Sequence, residues 1–118
     1  MKGLLTAVIL MMFACISCNS DKIPADIIQP DKMKKVIWDM VRAEQIVFND
    51  TLFKTPSAKK NKTTELYQQV FSIYKIDRNS FYNSYKYYEE HPDLNRLLMD
   101  SVNQYSGRKR QELYNRAR

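Results

Sequence analysis

Apolar residues are arranged in two ways along this chain. Leu4–Ile16 is an apolar run of thirteen residues, whereas beyond position 30 apolar residues recur at intervals of three and four. The second arrangement is helical, because those intervals return a side chain to the same face of an α-helix. Met33, Val36, Ile37, Met40, Ala43 and Val47 form one such face, widened by Trp38 and Val41. Pro30-Asp31 supplies its start, proline suiting the first turn and a carboxylate the positive helix end. The period lapses over 49–62, where Asn49, Asp50, Pro56, Ser57 and several lysines give turn chemistry. It resumes from Thr63 or Thr64, with Leu66, Tyr67, Val70, Phe71, Ile73 and Tyr74 on a broad face that stops near Lys75-Ile76. Asp77 is expected to cap a third helix, Arg78 to about Glu90, carrying Phe81, Tyr85 and Tyr88. His91-Pro92 ends it, since the residue before a proline avoids the α region. Asp93 is expected to cap a fourth, with Leu94, Leu97, Leu98, Val102 and Tyr105 in register. Gly107 ends that helix, or the helix runs on, frayed, to Leu113 and Tyr114. The pattern predicts an all-α fold: a small three- to four-helix bundle over 30–106, followed by a basic tail over 107–118.

The leading run has a different meaning. Lys2 precedes it, and Ser17, Cys18, Asn19, Ser20 and Asp21 follow, so a positive start and an apolar stretch give way abruptly to polar residues. That is the layout of a secretory signal, and thirteen residues fall short of the roughly 20 needed to span a bilayer. The terminal cysteine makes it resemble a bacterial lipoprotein signal, with residues 1–17 cleaved and lipid joined to the Cys18 thiol. Ser17 fits the small residue expected before the cut, while Cys15 stands where an aliphatic residue is usual. Cys15 is the rival lipidation site, with Ala14 and Met12 before it; Cys18 is preferred because polarity changes sharply after it. A plainer alternative is an ordinary signal peptide with a cysteine near the cut. Residues 18–29, with Pro24, then read as a flexible lipid-anchored tether. Asn19 after the cysteine gives no inner-membrane retention signal, and Asp21 is the single acid nearby. The expected location is an outer membrane, facing the periplasm, with cell-surface exposure as the alternative.

Composition narrows the function classes. No cysteine follows Cys18, so the folded part has no disulfide framework and no thiolate metal site. Gly107 is the one glycine beyond the leading segment, which disfavours phosphate-cradling loops, tight hairpins and nucleophile elbows together. The formal charge of +6 is uneven. Lys54, Lys59, Lys60 and Lys62 fall in a stretch without acids, and Arg108, Lys109, Arg110, Arg116 and Arg118 face Glu112 alone. Such segments suit acidic lipid head groups or acidic polymers, or are simply a solvated loop and tail. An envelope address argues against nucleic acid, and no small-molecule substrate or cofactor is indicated.

Six tyrosines lie between Tyr67 and Tyr88. At helical spacing most are core residues whose hydroxyls reach water. Tyr82 and Tyr87 fall off the main face of their helix and, with Arg108, Lys109 and Arg110, are the candidate binding surface. Glu89, Glu90, His91 and Asp93 form the one dense acid–base cluster, but a single histidine at a helix end beside a proline reads as a helix junction. No metal site and no nucleophile triad are expected. Asn49-Asp50-Thr51 and Asn61-Lys62-Thr63 match the N-glycosylation pattern, read as chance in a bacterial-type lipoprotein. Asp50-Thr51-Leu52 resembles the O-glycosylation acceptor of exported Bacteroidota proteins, and Thr51 sits in an expected loop; Asp100-Ser101-Val102 also matches, within a helix.

Three segments together carry a family resemblance: Ile23-Pro24 or Gln29-Pro30-Asp31-Lys32-Met33 leading into a helix with Asp39 and Ala43-Glu44; Leu66-Tyr67 through Tyr74-Lys75-Ile76-Asp77; and Phe81, Ser84 and Tyr87-Tyr88 before His91-Pro92. The chain resembles small Bacteroidota lipoproteins with a helical domain of unknown function. The resemblance implies lineage and location, and no catalytic residues. The leading expectation is a non-enzymatic, membrane-anchored module that binds an envelope protein or component. A periplasmic chaperone-like holder of unfolded clients is the alternative, and a cell-wall or glycan enzyme using Glu89–Asp93 stands third.

Overall fold

The computed structural model describes residues 22–118, and the expected signal segment and lipidation site, with Cys15 and Cys18, lie outside them. The described residues form four helices and no strand: α1 Pro30–Asn49, α2 Pro56–Tyr74, α3 Arg78–Glu89 and α4 Pro92–Arg116. The all-α expectation therefore holds, with four helices.

Helix α1 begins where Pro30 occupies the first helical position and the Gln29 carbonyl accepts from the Lys32 and Met33 amides at 3.0 and 2.9 Å. All six residues of its expected face are buried, and so is Trp38. Asp39 lies 3.8 Å from Arg42 and accepts the Tyr74 hydroxyl at 2.7 Å, which ties the middle of α1 to the end of α2.

Helix α2 starts at Pro56, seven residues before the expected Thr63. The Thr55 side chain accepts from the Ala58 amide at 3.1 Å, and proline takes the first turn. This is a standard start signal followed by two turns too polar to show a period. The helix closes at Lys75, whose φ of 51° places it in the left-handed region, and the Ile76 amide reaches back to the Phe71 carbonyl at 3.0 Å. Asp77 caps α3 as expected, accepting from the Ser80 amide at 2.9 Å. The fourth start differs from expectation. His91 is the N-cap without a side-chain bond, Pro92 is the first helical residue, and Asp93 lies in the first turn, where it acts on the helix dipole.

Two boundaries move. Helix α4 passes through Gly107 and ends at Arg116, so most of the basic tail is helical. A Cβ on Gly107 would meet nothing within 4 Å, so the glycine serves neither a turn nor a close approach. At the other end the last residues of the expected tether belong to the fold. Ile27 and Ile28 are buried with Met33, Val36, Ile37, Met40, Val70, Phe71, Phe81, Tyr88 and Leu98 in one core. The Ile28 amide donates to Ser84 Oγ at 2.9 Å, and the Ile28 carbonyl accepts the Tyr88 hydroxyl at 2.8 Å. Both bonds are buried, so the segment enters the core without orphaned backbone groups. On α4, Leu98 joins this core while Leu97 is 60% exposed, off the face expected to carry it.

A candidate binding groove beside Tyr82

The register of three helices opens a groove on one side of the bundle. Ile37, Val41 and Glu44 of α1 share a face by their spacing, and Met40 adjoins them. Tyr67 enters from α2, and Phe81, Tyr82 and Tyr85 enter from α3. The groove has a volume of about 250 Å³. Its floor is firm. Phe71 lies under Phe81 with ring centroids 5.3 Å apart, and Phe81 in turn meets Tyr82 edge-on at 5.2 Å and Tyr85 at 6.0 Å.

The rim is polar at fixed points. The Tyr67 hydroxyl donates to the Glu44 carboxylate. Burial, and then that carboxylate, hold the Tyr67 pKa well above the ordinary tyrosine value, so the phenol stays protonated as a donor. Arg78 sits over the Tyr82 ring at 5.4 Å. A smaller hollow of about 100 Å³ continues past Tyr67 and Tyr82 to Thr64, Gln68 and Arg78. On its other side Glu44 is shared with a wider opening lined by Phe48, Lys59 and Thr63. The arrangement can stack on a ring, enclose an aliphatic chain and offer a carboxylate to a cation.

The residues expected to form one binding surface are distributed over separate parts of the molecule. Tyr82 is 43% exposed at the mouth of the groove. Tyr87 is half-buried and stacks on the His91 ring at 4.1 Å, outside the groove lining. Arg108 is exposed on the last turns of α4; Lys109 bonds Glu112 at 2.8 Å and lies over Tyr105; Arg110 donates to Ser106 Oγ at 3.2 Å. Glu44, Tyr67 and Tyr85 also line the groove. Spacing places Tyr67 and Tyr85 on the apolar faces of their helices, as core residues, and gives Glu44 no binding role.

The Glu89–Asp93 cluster forms a junction between helices. His91 Nδ1 lies 2.6 Å from the Tyr87 carbonyl, and Glu90 approaches Lys86 at 3.8 Å. Among the described residues no group of three or more His, Cys, Asp or Glu side chains is placed to hold a metal ion. Thr51 is exposed in the α1–α2 connection, whereas Ser101 is half-buried inside α4.

The fold and groove define a small helical domain with a tyrosine-rimmed recess. The chain belongs to the DUF4296 family, a domain of unknown function, whose model matches residues 24–112. That span starts at Pro24, before the docked Ile27 and Ile28, and passes Gly107, in agreement with both boundaries of the fold. Comparison with curated proteins and with solved structures returned no match.

Proposed function

We propose that the protein is a non-enzymatic binding module, anchored by lipid on Cys18 to the periplasmic face of an outer membrane, which holds a segment of an envelope protein in the groove beside Tyr82. The groove carries this reading. It is an open groove among three helices, continued by a smaller hollow past Tyr67 and Tyr82 and by a wider opening across Glu44. It suits one or two anchoring side chains of a larger partner. Exposed tyrosine beside packed aromatic rings is the composition of energetic centres in protein interfaces. Glu44 then favours a partner whose apolar or aromatic anchor is followed by lysine or arginine, since a carboxylate at the rim selects a cation. The leading segment, Met1 to Cys18, supports the anchor. No helix of the described residues is long and apolar enough to cross a membrane.

Two measurements test the reading separately. Mass spectrometry of the membrane-extracted protein is expected to find an acylated N-terminal Cys18; an unmodified N-terminus elsewhere, on a freely soluble protein, removes the anchor. A photo-crosslinking side chain at Tyr82 is expected to give one discrete protein adduct in native membranes, reduced at least about tenfold by Glu44→Lys. A ladder of many unfolded outer-membrane proteins would instead identify a chaperone-like holder, and no adduct would remove the groove.

A further inference from the structure

The end of the α1–α2 hairpin carries a second surface, which adjoins the groove across Glu44. Phe48 is 74% exposed and Leu52 is 82% exposed. Neither is loose. Lys59 Nζ donates to the Phe48 carbonyl at 3.0 Å and lies 4.9 Å over the Phe48 ring, so one lysine closes the end of α1 and props the ring outward. The Leu52 amide donates to Asp50 Oδ1 at 2.8 Å, a side-chain turn that fixes where Leu52 projects. Lys54 follows Leu52 by two positions and Lys60 follows Lys59 on α2; both are exposed, and the stretch 54–62 holds no acid. Exposed apolar side chains with Lys54, Lys59 and Lys60 outnumbering Asp50 around them in sequence match an anionic bilayer surface in both respects: the rings and aliphatic chains enter the acyl boundary while the ammonium groups stay among the phosphates.

We infer that this hairpin tip, centred on Phe48 and Leu52, is a docking site for an anionic phospholipid surface. The inference is argued from the tip residues and does not require the lipid anchor or an occupant in the groove. With the anchor it gives the domain a second attachment point.

The test uses the full-length chain carrying Phe48→Trp, with the native chain, which holds Trp38, as background. Vesicles of brominated phosphatidylcholine are compared with vesicles that also contain brominated phosphatidylglycerol. Quenching of the Phe48→Trp protein is expected to exceed that of the native chain severalfold on the anionic vesicles. It should fall to the native level on neutral vesicles and at high salt, and Lys54→Glu with Lys60→Glu should weaken anionic-vesicle binding about tenfold or more. Leu52→Trp is expected to behave as Phe48→Trp does, which guards against one variant failing to fold. Native-level quenching on anionic vesicles in both variants would overturn the inference, as would equal quenching on neutral vesicles. So would a blue shift without vesicles, which would mean self-association, or a glycan on Thr51 of the native protein, which would hold the tip off lipid.

Discussion

At the start of α1 the chain buries Ile27 and Ile28, and both backbone groups of Ile28 are matched by Ser84 and Tyr88 from a helix more than fifty residues away. At the far end of the same helix Phe48, and Leu52 in the connection just beyond it, are exposed, with Lys59 and Asp50 bonded to their backbone. Buried polar groups must be paired, because an orphan costs about 1–3 kcal/mol, whereas exposed apolar groups cost a monomer little. The sealed end is therefore where stability is concentrated. The open end and the groove are where mutation can change binding while leaving the fold alone.

The largest expected contrast sets Leu98→Ala against the double change Phe48→Ser with Leu52→Ser. Leu98 is fully enclosed, so its truncation should cost about 2–5 kcal/mol in urea unfolding. The double change should stay within about 0.5 kcal/mol per site. Comparable losses would mean that the tip is structural. Next, Ser84→Ala strips the Ile28 amide of its buried partner and should cost about 1–3 kcal/mol, against about 1 kcal/mol for Thr55→Ala, which removes an exposed cap.

Alkaline titration sharpens the same point. Tyr88 is pushed up to about 12, by burial first and then by Tyr87, and Tyr67 and Tyr74 are raised by burial and by the carboxylates they donate to. A tyrosine with a raised folded-state pKa favours the fold while protonated. That stability is complete below pH 10, the ordinary tyrosine value, and is lost as pH rises from there through about 12. Tyr88→Phe should flatten the alkaline fall in a thermal-melt series. A profile unchanged by Tyr88→Phe would contradict the buried hydroxyl. The smallest effect is at Lys75, where a left-handed backbone strains any side chain; Lys75→Gly should raise stability by about 0.5–1 kcal/mol, read from the same melts.

What could be read beforehand follows this division. The face of α1 was legible because burial imposes a period, and Asp77 was legible as a cap because its signal is local. The first two turns of α2 were not, since Lys59, Lys60, Asn61 and Lys62 make no apolar stripe and the cue rested in Thr55-Pro56 alone. Helix α4 outruns Gly107 because local pairs such as Lys109–Glu112 and Gln111–Asn115 support turns that contact little else. Ile27 and Ile28 looked like tether because their partners are distant in sequence. For the same reason the tyrosine set was visible while its division was not: which rings line the groove depends on how three helices meet.

The central claim is that the hairpin tip and the groove bind different things. Photo-crosslinking side chains placed in turn at Phe48 and at Tyr82, in the full-length protein in native membranes, test it most directly. The account expects lipid adducts from position 48 and one discrete protein adduct from position 82. The same adducts from both positions, or none from either, would contradict it.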